Sequence, residues 1–380
     1  MITPTANKII HLQLGRSSLR VALAFSLVTR PSTSFAFVVL PSSLRTVAST
    51  GLRTSPPAYY CRDSRWRVIS PRCLRSSSLM SAASPSNEEG SGVLKKFVVA
   101  ACQILCEGDK AANIASAEKA VGDAAAAGAQ VVVLPECWNS PYDTASFPVY
   151  AEPVPEPGGE HPPSAEASPS TSMLCRAAAA NKVFLVGGSV PEVGEDGGVY
   201  NTCIVVDPRG KILAKHRKVH LFDIDVPGGI TFKESNTLSP GNTITTVDTP
   251  FGVIGVAICY DMRFPELSMA MRAAGAVLLC FPGAFNMTTG PAHWELLQRA
   301  RAVDNQCYVV TASPARNPDS KYQAWGHSSI VDPWGTVVAT SEHTSAMVVA
   351  EVDVGRVSEV RKNIPVSVQK RTDLYKLEVS

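Results

Sequence analysis

An apolar run that ends abruptly in a cysteine limits what this chain of 380 residues can fold into. Residues 253–258, VIGVAI, are long enough for one buried strand. Cys259 follows directly, then the polar sequence YDMR, and Pro265 is typical of the first turn of a helix. A thiol between a buried strand and a helix lies where open α/β folds place reacting groups. Taken alone, a cysteine at such a position is more often a buried core residue, so reactivity requires a base and an oxyanion partner elsewhere in the chain.

The first part of the chain differs in composition from the rest. Residues 1–87 hold eleven Lys or Arg and one acidic residue, Asp63, which is a net charge of +10. Because the whole chain carries +2, residues 88–380 carry −8. An Arg- and Ser-rich segment almost free of acids is typical of an organelle transit peptide, although a disordered tail has a similar composition. We predict that residues 1–92 are a targeting segment and linker, largely disordered, for a plastid or mitochondrion, whereas a start at Met80 would give a cytoplasmic form.

The remaining residues alternate between predicted strands and helices. Strands are predicted at 97–104, 131–134, 183–188, 276–281, 307–311 and 346–352, and helices at 111–127, 173–181 and 292–303. Three hairpins share a turn in which Pro is followed two residues later by Gly, at 207–210, 249–252 and 332–335. This mixture predicts an α/β domain with a mixed sheet and helices on the outside. The near-neutral net charge and the lack of a long apolar run give no indication of a nucleic-acid or membrane partner.

Two further residues could supply what Cys259 lacks. Glu136 follows the predicted strand 131–134 much as Cys259 follows its own strand, although a glutamate there could also be a surface cap. Lys218 lies in the basic sequence HRKVH, which is more typical of a solvated loop. As a set, the three side chains meet the demands of thiol attack on a carbonyl carbon. A buried carboxylate can act as the base, and a lysine can stabilise the developing oxyanion.

Three segments around these residues resemble the signature motifs of a known family. They are LPE at 134–136, HRKVHLFD at 216–223 and GVAICYDMR at 255–263. In order and spacing they are similar to the motifs of the nitrilase superfamily of carbon–nitrogen hydrolases. Segments 224–241 and 281–297 further resemble the Nit2-type omega-amidase branch of that family.

The resemblance implies a fold and a domain organisation. The expected fold is the nitrilase fold, an α/β four-layer α-β-β-α sandwich with mixed sheets. The resemblance covers about residues 96–370, so we expect a carbon–nitrogen hydrolase domain over 93–380, with a core at about 96–355 and a C-terminal extension. One departure is His216, where relatives often carry Tyr, and we expect it to affect packing only.

The resemblance also implies catalytic roles. Glu136 would be the base, Lys218 the oxyanion stabiliser and Cys259 the nucleophile. Glu234 matches a second family glutamate that orients Lys218 and the base, and the backbone N–H of Tyr260 would share the oxyanion. No metal or organic cofactor is implied, and no cysteine or histidine spacing matches a zinc site.

Arg263 is the candidate for substrate selection. It lies four residues after the cysteine, where a guanidinium could hold the carboxylate of a four- or five-carbon acid through two parallel hydrogen bonds. The alternative is that Arg263 pairs with Glu266 or another acidic residue and only shapes the loop. We expect Tyr142, Phe285 and Thr288 to complete the substrate-binding pocket.

The function that the resemblance implies is hydrolysis of a small-molecule amide. The expected omega-amidase would convert 2-oxoglutaramate or 2-oxosuccinamate to the 2-oxo dicarboxylic acid and ammonia through a cysteine thioester. Alternatives within the family are an N-carbamoyl amide hydrolase and a nitrilase. A non-catalytic nitrilase-like scaffold is an alternative of another class, but a scaffold would be free to lose the three reactive residues, and all are present. The resemblance also implies a homodimer, with the helix that begins near Pro265 and segment 369–377 as the candidate interface.

Overall fold

The computed structural model describes residues 96–158 and 163–379, and the predicted targeting segment at 1–92 lies outside them. The strands are β1 (Lys96–Gln103), β2 (Val131–Val133), β3 (Phe184–Val186), β4 (Val190–Val193), β5 (Val199–Val206), β6 (Ile212–Arg217), β7 (Asp223–Asp225), β8 (Thr231–Lys233), β9 (Thr245–Thr249), β10 (Gly252–Val256), β11 (Ala276–Pro282), β12 (Tyr308–Ala312), β13 (Ser329–Val331), β14 (Val337–Thr340) and β15 (Ala346–Asp353). The helices are α1 (Lys110–Ala126), α2 (Phe147–Tyr150), α3 (Pro169–Asn181), α4 (Pro265–Ala273), α5 (Gly290–Asn305) and α6 (Val354–Asn363). None of the helices in these two ranges has the length and apolar character needed to cross a membrane.

The strands form two large sheets and one small hairpin. The first sheet has the order β15-β1-β2-β3-β5-β4, with β6 paired to β5, and the second has the order β14-β13-β12-β11-β10-β9. Each sheet mixes orientations: β1 is parallel to β2 and antiparallel to β15, whereas β11 is parallel to β12 and β12 is antiparallel to β13. Strands β7 and β8 pair only with each other.

Side chains along β1 show how the layers are stacked. Val99 and Ala101 belong to the core between the two sheets, together with Val256 on β10. Ala100 and Cys102, on the opposite face, belong to a second core that contains residues of α1 and α3. This alternation follows from the period of two in a strand, and burying each large apolar side chain stabilises the fold by about 1.5–3 kcal/mol. Helices α4 and α5 contact the second sheet, which completes the expected four-layer α-β-β-α sandwich.

Most predicted elements are present, and the differences have local causes. The three predicted hairpins form as β5–β6, β9–β10 and β13–β14. Helix α3 begins at Pro169, four residues before the predicted start, because proline is well suited to a first helical turn. Strand β4 was not predicted, and it contains Pro191, which is tolerated because β4 lies at a sheet edge. Helix α6 was also missed, although Asp353 caps it and Val357 and Val360 are buried on one face.

The fold brings the ends of three strands together. Strand β2 leads to Glu136 and β6 leads to Lys218, and both strands belong to the first sheet. Strand β10 of the second sheet leads to Cys259. The candidate site therefore lies where the ends of the two packed sheets meet.

Candidate active site

Three ionisable side chains meet in a buried cluster. The Nζ atom of Lys218 lies 2.9 Å from Glu136 Oε1 and 2.9 Å from Glu234 Oε1. None of the three side chains has any exposed surface. A buried lysine between two carboxylates remains charged only because both partners are close, and removal of either carboxylate would leave an unbalanced buried charge.

The carboxylate of Glu136 is held on both of its oxygen atoms. Oε1 accepts hydrogen bonds from Lys218 and from Asn201 Nδ2 at 2.9 Å, and it lies 3.3 Å from the Tyr142 hydroxyl. Oε2 accepts the backbone N–H of Ala284 at 2.8 Å. These contacts fix the orientation of the carboxylate before any substrate is bound.

Cys259 is placed by a sharp change of direction after β10. Its φ is 47°, in the left-handed region that residues with a Cβ rarely adopt, and it begins the 3-10 helix Cys259–Arg263. Gly283 lies opposite, where a Cβ would come within 3.2 Å of the Cys259 Cα and 3.1 Å of the Trp294 ring. A side chain at position 283 would therefore require the Cys259 backbone or the Trp294 ring to move by a few tenths of an ångström. The backbone N–H of Tyr260 follows in the same turn.

The ionisation of the cluster suits acyl transfer. Burial raises the pKa of the Glu136 carboxyl, although the neighbouring Lys218 acts in the opposite direction. Burial and the charge of Glu136 raise the pKa of the Cys259 thiol well above its usual value. Burial would lower the pKa of Lys218, but the two carboxylates outweigh it and hold the pKa well above its usual value. The arrangement therefore combines a protonated thiol that needs a base, a carboxyl with increased basicity and a permanent cation.

Glu234 lies in the 3-10 turn Glu234–Asn236, directly after β8. Its Oε2 accepts the backbone N–H of Phe222 at 2.7 Å, and its Oε1 accepts the Tyr142 hydroxyl at 2.7 Å. The same residue therefore joins the start of the β7–β8 hairpin, Tyr142 and Lys218. This is the position expected for a residue that orients the lysine.

A cavity of about 220 Å³ opens beside the cluster, and its lining includes Glu136, Cys137, Tyr142, Ala284 and Tyr322. The rings of Tyr142 and Tyr322 lie 4.4 Å apart, and the Tyr322 hydroxyl donates to the Ala284 carbonyl at 2.5 Å. Of the residues predicted to bind substrate, Tyr142 lines this cavity. The volume of the cavity and its mostly apolar walls suit a small organic molecule.

The other three side chains predicted to bind substrate, Arg263, Phe285 and Thr288, do not line this cavity. The guanidinium of Arg263 lies 4.8 Å from the centre of the Phe285 ring, and its NH1 atom lies 3.2 Å from His293 Nδ1. Burial lowers the pKa of Arg263, and among the described residues no acidic side chain is paired with it, so the considered pairing with Glu266 is not formed. Thr288 is exposed, and its backbone N–H donates to Asn286 at 2.8 Å.

Sequence reasoning missed three contributors to the cluster. Asn201 and Tyr322 were not predicted, and the backbone N–H of Ala284 was not identified as a donor to Glu136. An asparagine within a largely apolar buried strand is a detectable signal for Asn201, whereas Tyr322 lies in a loop without a pattern. Within residues 96–158 and 163–379, no group of three or more His, Cys, Asp or Glu side chains could hold a metal ion.

Comparison with known proteins identifies the class. The family model for carbon-nitrogen hydrolase matches residues 98–362. The chain belongs to this family, within the nitrilase superfamily, as the three motifs indicated.

The similar proteins agree with the predicted branch. The chain is 54% identical over 285 residues to the chloroplastic omega-amidase of Arabidopsis thaliana, covering 75% of each protein. It is 51% identical over 287 residues to the omega-amidase NIT2 of Homo sapiens, covering 75% of this chain and 99% of the human protein. The crystal structure of Saccharomyces cerevisiae Nit3, a member of branch 10 of the nitrilase superfamily, matches with 43% identity and a TM-score of 0.66, covering 73% of this chain and 98% of the yeast chain. The expected fold and the Nit2-type resemblance are therefore confirmed.

Proposed function

We propose that the protein is an omega-amidase that hydrolyses the terminal amide of 2-oxoglutaramate or 2-oxosuccinamate to the 2-oxo dicarboxylic acid and ammonia. The observation that carries the proposal is the buried contact of 2.9 Å between Lys218 and Glu136 next to Cys259. The same three residue types are those that amide hydrolysis by a thiol requires. The omega-amidases with 51–54% identity support the choice of substrate class.

The proposed reaction begins with proton transfer from the Cys259 thiol to Glu136. The sulfur attacks the carbonyl carbon of the amide, and the Lys218 ammonium and the Tyr260 backbone N–H stabilise the tetrahedral oxyanion. Glu136 then gives its proton to the departing nitrogen, which leaves as ammonia, and a thioester remains on Cys259. The same carboxylate then deprotonates a water molecule, which attacks the thioester carbon and releases the acid, and Glu136 returns the proton to the departing Cys259 sulfur.

Two further side chains have assigned roles in this proposal. Glu234 keeps the Lys218 ammonium in place by its contact of 2.9 Å, so that the lysine does not have to move as the oxyanion forms. Arg263 binds the distal carboxylate of the substrate, because it is partly desolvated and has no acidic partner among the described residues. A carboxylate bound next to Arg263 would balance the positive charge of the guanidinium.

A panel of substrates tests the proposal and separates it from its alternatives. Ammonia release should be fastest with 2-oxoglutaramate or 2-oxosuccinamate and abolished in Cys259→Ala. Preferred turnover of N-carbamoyl amino acids or nitriles would favour the other hydrolases of the family. If folded wild-type protein released ammonia from no member of the panel, the scaffold alternative would be favoured.

We further propose a homodimer in a plastid or mitochondrion, with a cytoplasmic form from Met80 as the alternative. The chloroplastic relative supports the plastid, and the composition of residues 1–92 supports targeting. Exposed apolar side chains of the C-terminal segment, such as Leu374 and Tyr375, support the candidate interface. Sedimentation at micromolar concentration should give the mass of two chains, and a monomer would contradict the dimer.

A further inference from the structure

The turn that carries Cys259 is closed by a single buried carboxylate. Asp261 has no exposed surface, and its Oδ2 accepts the backbone N–H of Ile258 at 2.9 Å. The backbone N–H of Asp261 in turn donates to the Ile258 carbonyl at 2.9 Å. Both contacts join Ile258 to Asp261, so they close the turn that contains Cys259. They stabilise the unfavourable left-handed φ of 47° at Cys259.

The same carboxylate also holds the segment that carries Lys218. Asp261 Oδ1 accepts both the backbone N–H and the Nδ1 atom of His220 at 2.8 Å, and Oδ2 lies 3.3 Å from His216 Nε2. Because an ionised carboxylate can only accept, the ring nitrogens that face it are donors. His216 Nδ1 lies 2.8 Å from the Thr245 hydroxyl.

The two histidines lie two residues before and two residues after Lys218. In an extended segment residues two apart share a face, and His216 and Lys218 are both buried whereas Arg217 between them is partly exposed. Asp261 therefore contacts this segment on both sides of Lys218, through His216 and through His220. Burial alone would raise the pKa of Asp261, but hydrogen bonds from the two histidines outweigh it, so the carboxylate stays ionised.

We propose that Asp261 is a positioning residue that sets the separation of Lys218 and Cys259. This inference rests on the proposed function, because the separation matters only if the lysine stabilises the oxyanion formed at the thiol. The carboxylate touches neither substrate nor the reacting sulfur. It acts through four donors, which are Ile258 N–H, His220 N–H, His220 Nδ1 and His216 Nε2. The proposal also gives His216 a role in holding the segment that carries Lys218.

The variant Asp261→Asn tests this role, because it keeps the shape of the side chain but replaces one acceptor by an N–H₂ group that faces donors. Displacement of a reacting group by about 1 Å costs about 100-fold in rate, so kcat should fall about 100-fold with KM within about threefold of wild type. Alkylation of Cys259 by iodoacetamide, followed by peptide mass spectrometry, should slow about tenfold because the thiolate loses the nearby cation. The alkylation rate does not depend on which amide is the substrate, so this readout remains valid if the proposed function fails.

The matched control is Glu152→Gln. Glu152 is a buried carboxylate outside the site, which accepts the backbone N–H of Thr171 at 2.9 Å at the start of α3 and pairs with Lys110 at 2.9 Å. The Glu152→Gln variant should have a lower melting temperature than wild type, with unchanged kcat and an unchanged rate of Cys259 alkylation. A purely structural role of Asp261 would give the same pattern as this control, and that result would overturn the proposal.

A milder variant keeps the proposal testable if Asp261→Asn does not fold. The ring of His220 stacks on Phe264 with centroids 3.6 Å apart, so His220→Phe keeps an aromatic ring there and removes the two ring nitrogens, of which Nδ1 contacts Asp261. It should lower kcat about five- to tenfold with KM unchanged, less than Asp261→Asn, because three of the four donors to the carboxylate remain. A kcat within about twofold of wild type would contradict the proposal.

Discussion

Asn201 contacts Glu136 and the lysine segment at the same time. Its side-chain Nδ2 donates to Glu136 Oε1 at 2.9 Å, and its backbone carbonyl accepts the N–H of Lys218 at 2.8 Å. The side chain is buried, and its Oδ1 has no hydrogen-bond partner among the described residues. Asn201 therefore links the proposed base, Glu136, to the backbone of the proposed oxyanion stabiliser, Lys218.

Asn201→Ala should move the acidic limb of the kcat/KM profile to higher pH. The Asn201 amide stabilises the ionised form of Glu136, so its removal should raise further a pKa that burial already raises. A hydrogen bond to a charged group contributes about 1.5–3 kcal/mol, which corresponds to about one to two pH units. The base must be deprotonated, so activity is lost as pH falls through this pKa. The control Asn305→Ala removes another buried asparagine and should leave the limb in place, whereas an unmoved limb in Asn201→Ala would contradict the prediction.

Arg263→Ala should reduce activity selectively on substrates that carry a distal carboxylate. Loss of a charge-assisted hydrogen bond should lower kcat/KM for 2-oxoglutaramate roughly 10- to 150-fold. An amide of similar length without the carboxylate should be affected much less. Arg263→Lys should recover only part of the loss, because an ammonium does not reproduce the two parallel bonds of a guanidinium. Equal losses on both substrates would mean that Arg263 supports the structure of the turn and does not bind the carboxylate of the substrate.

The positions of the reactive residues could be predicted because each follows a recognisable strand. The run before Cys259 and the run before Glu136 are uninterrupted and apolar, and β10 and β2 lie where these runs predict. The charge pattern around Lys218 was ambiguous by itself, and it became informative only in combination with the other two motifs. Sequence pattern therefore predicted the ends of strands, which are determined locally.

The contacts between the reactive residues could not be predicted in the same way. Asn201 and Glu136 are 65 positions apart, and Asp261 and His220 are 41 positions apart. Such pairs depend on how two sheets pack and on side-chain rotamers, neither of which has a sequence period. The β7–β8 hairpin was likewise missed as structure, because its strands are three residues long and pair only with each other.

A chain that begins at Glu89 should be soluble and as active as the full chain. The prediction follows from the charge difference between residues 1–87 and 88–380, which indicates that the first segment does not belong to the domain. The carbon-nitrogen hydrolase family model begins only at residue 98. Thermal unfolding and kcat of the shortened chain should match those of the full chain within error. Loss of activity or of folding would mean that residues 1–88 contribute to the fold.

The most direct test of the account is detection of an acyl group on Cys259 during turnover. Wild-type protein mixed with 2-oxoglutaramate and quenched in acid should show, by intact and peptide mass spectrometry, one added acyl group on the peptide that contains Cys259. Cys259→Ala should show no adduct and lose activity by about four orders of magnitude or more, as expected when a nucleophile is removed. An adduct on another residue, or near wild-type turnover by Cys259→Ala, would contradict the proposed thioester mechanism.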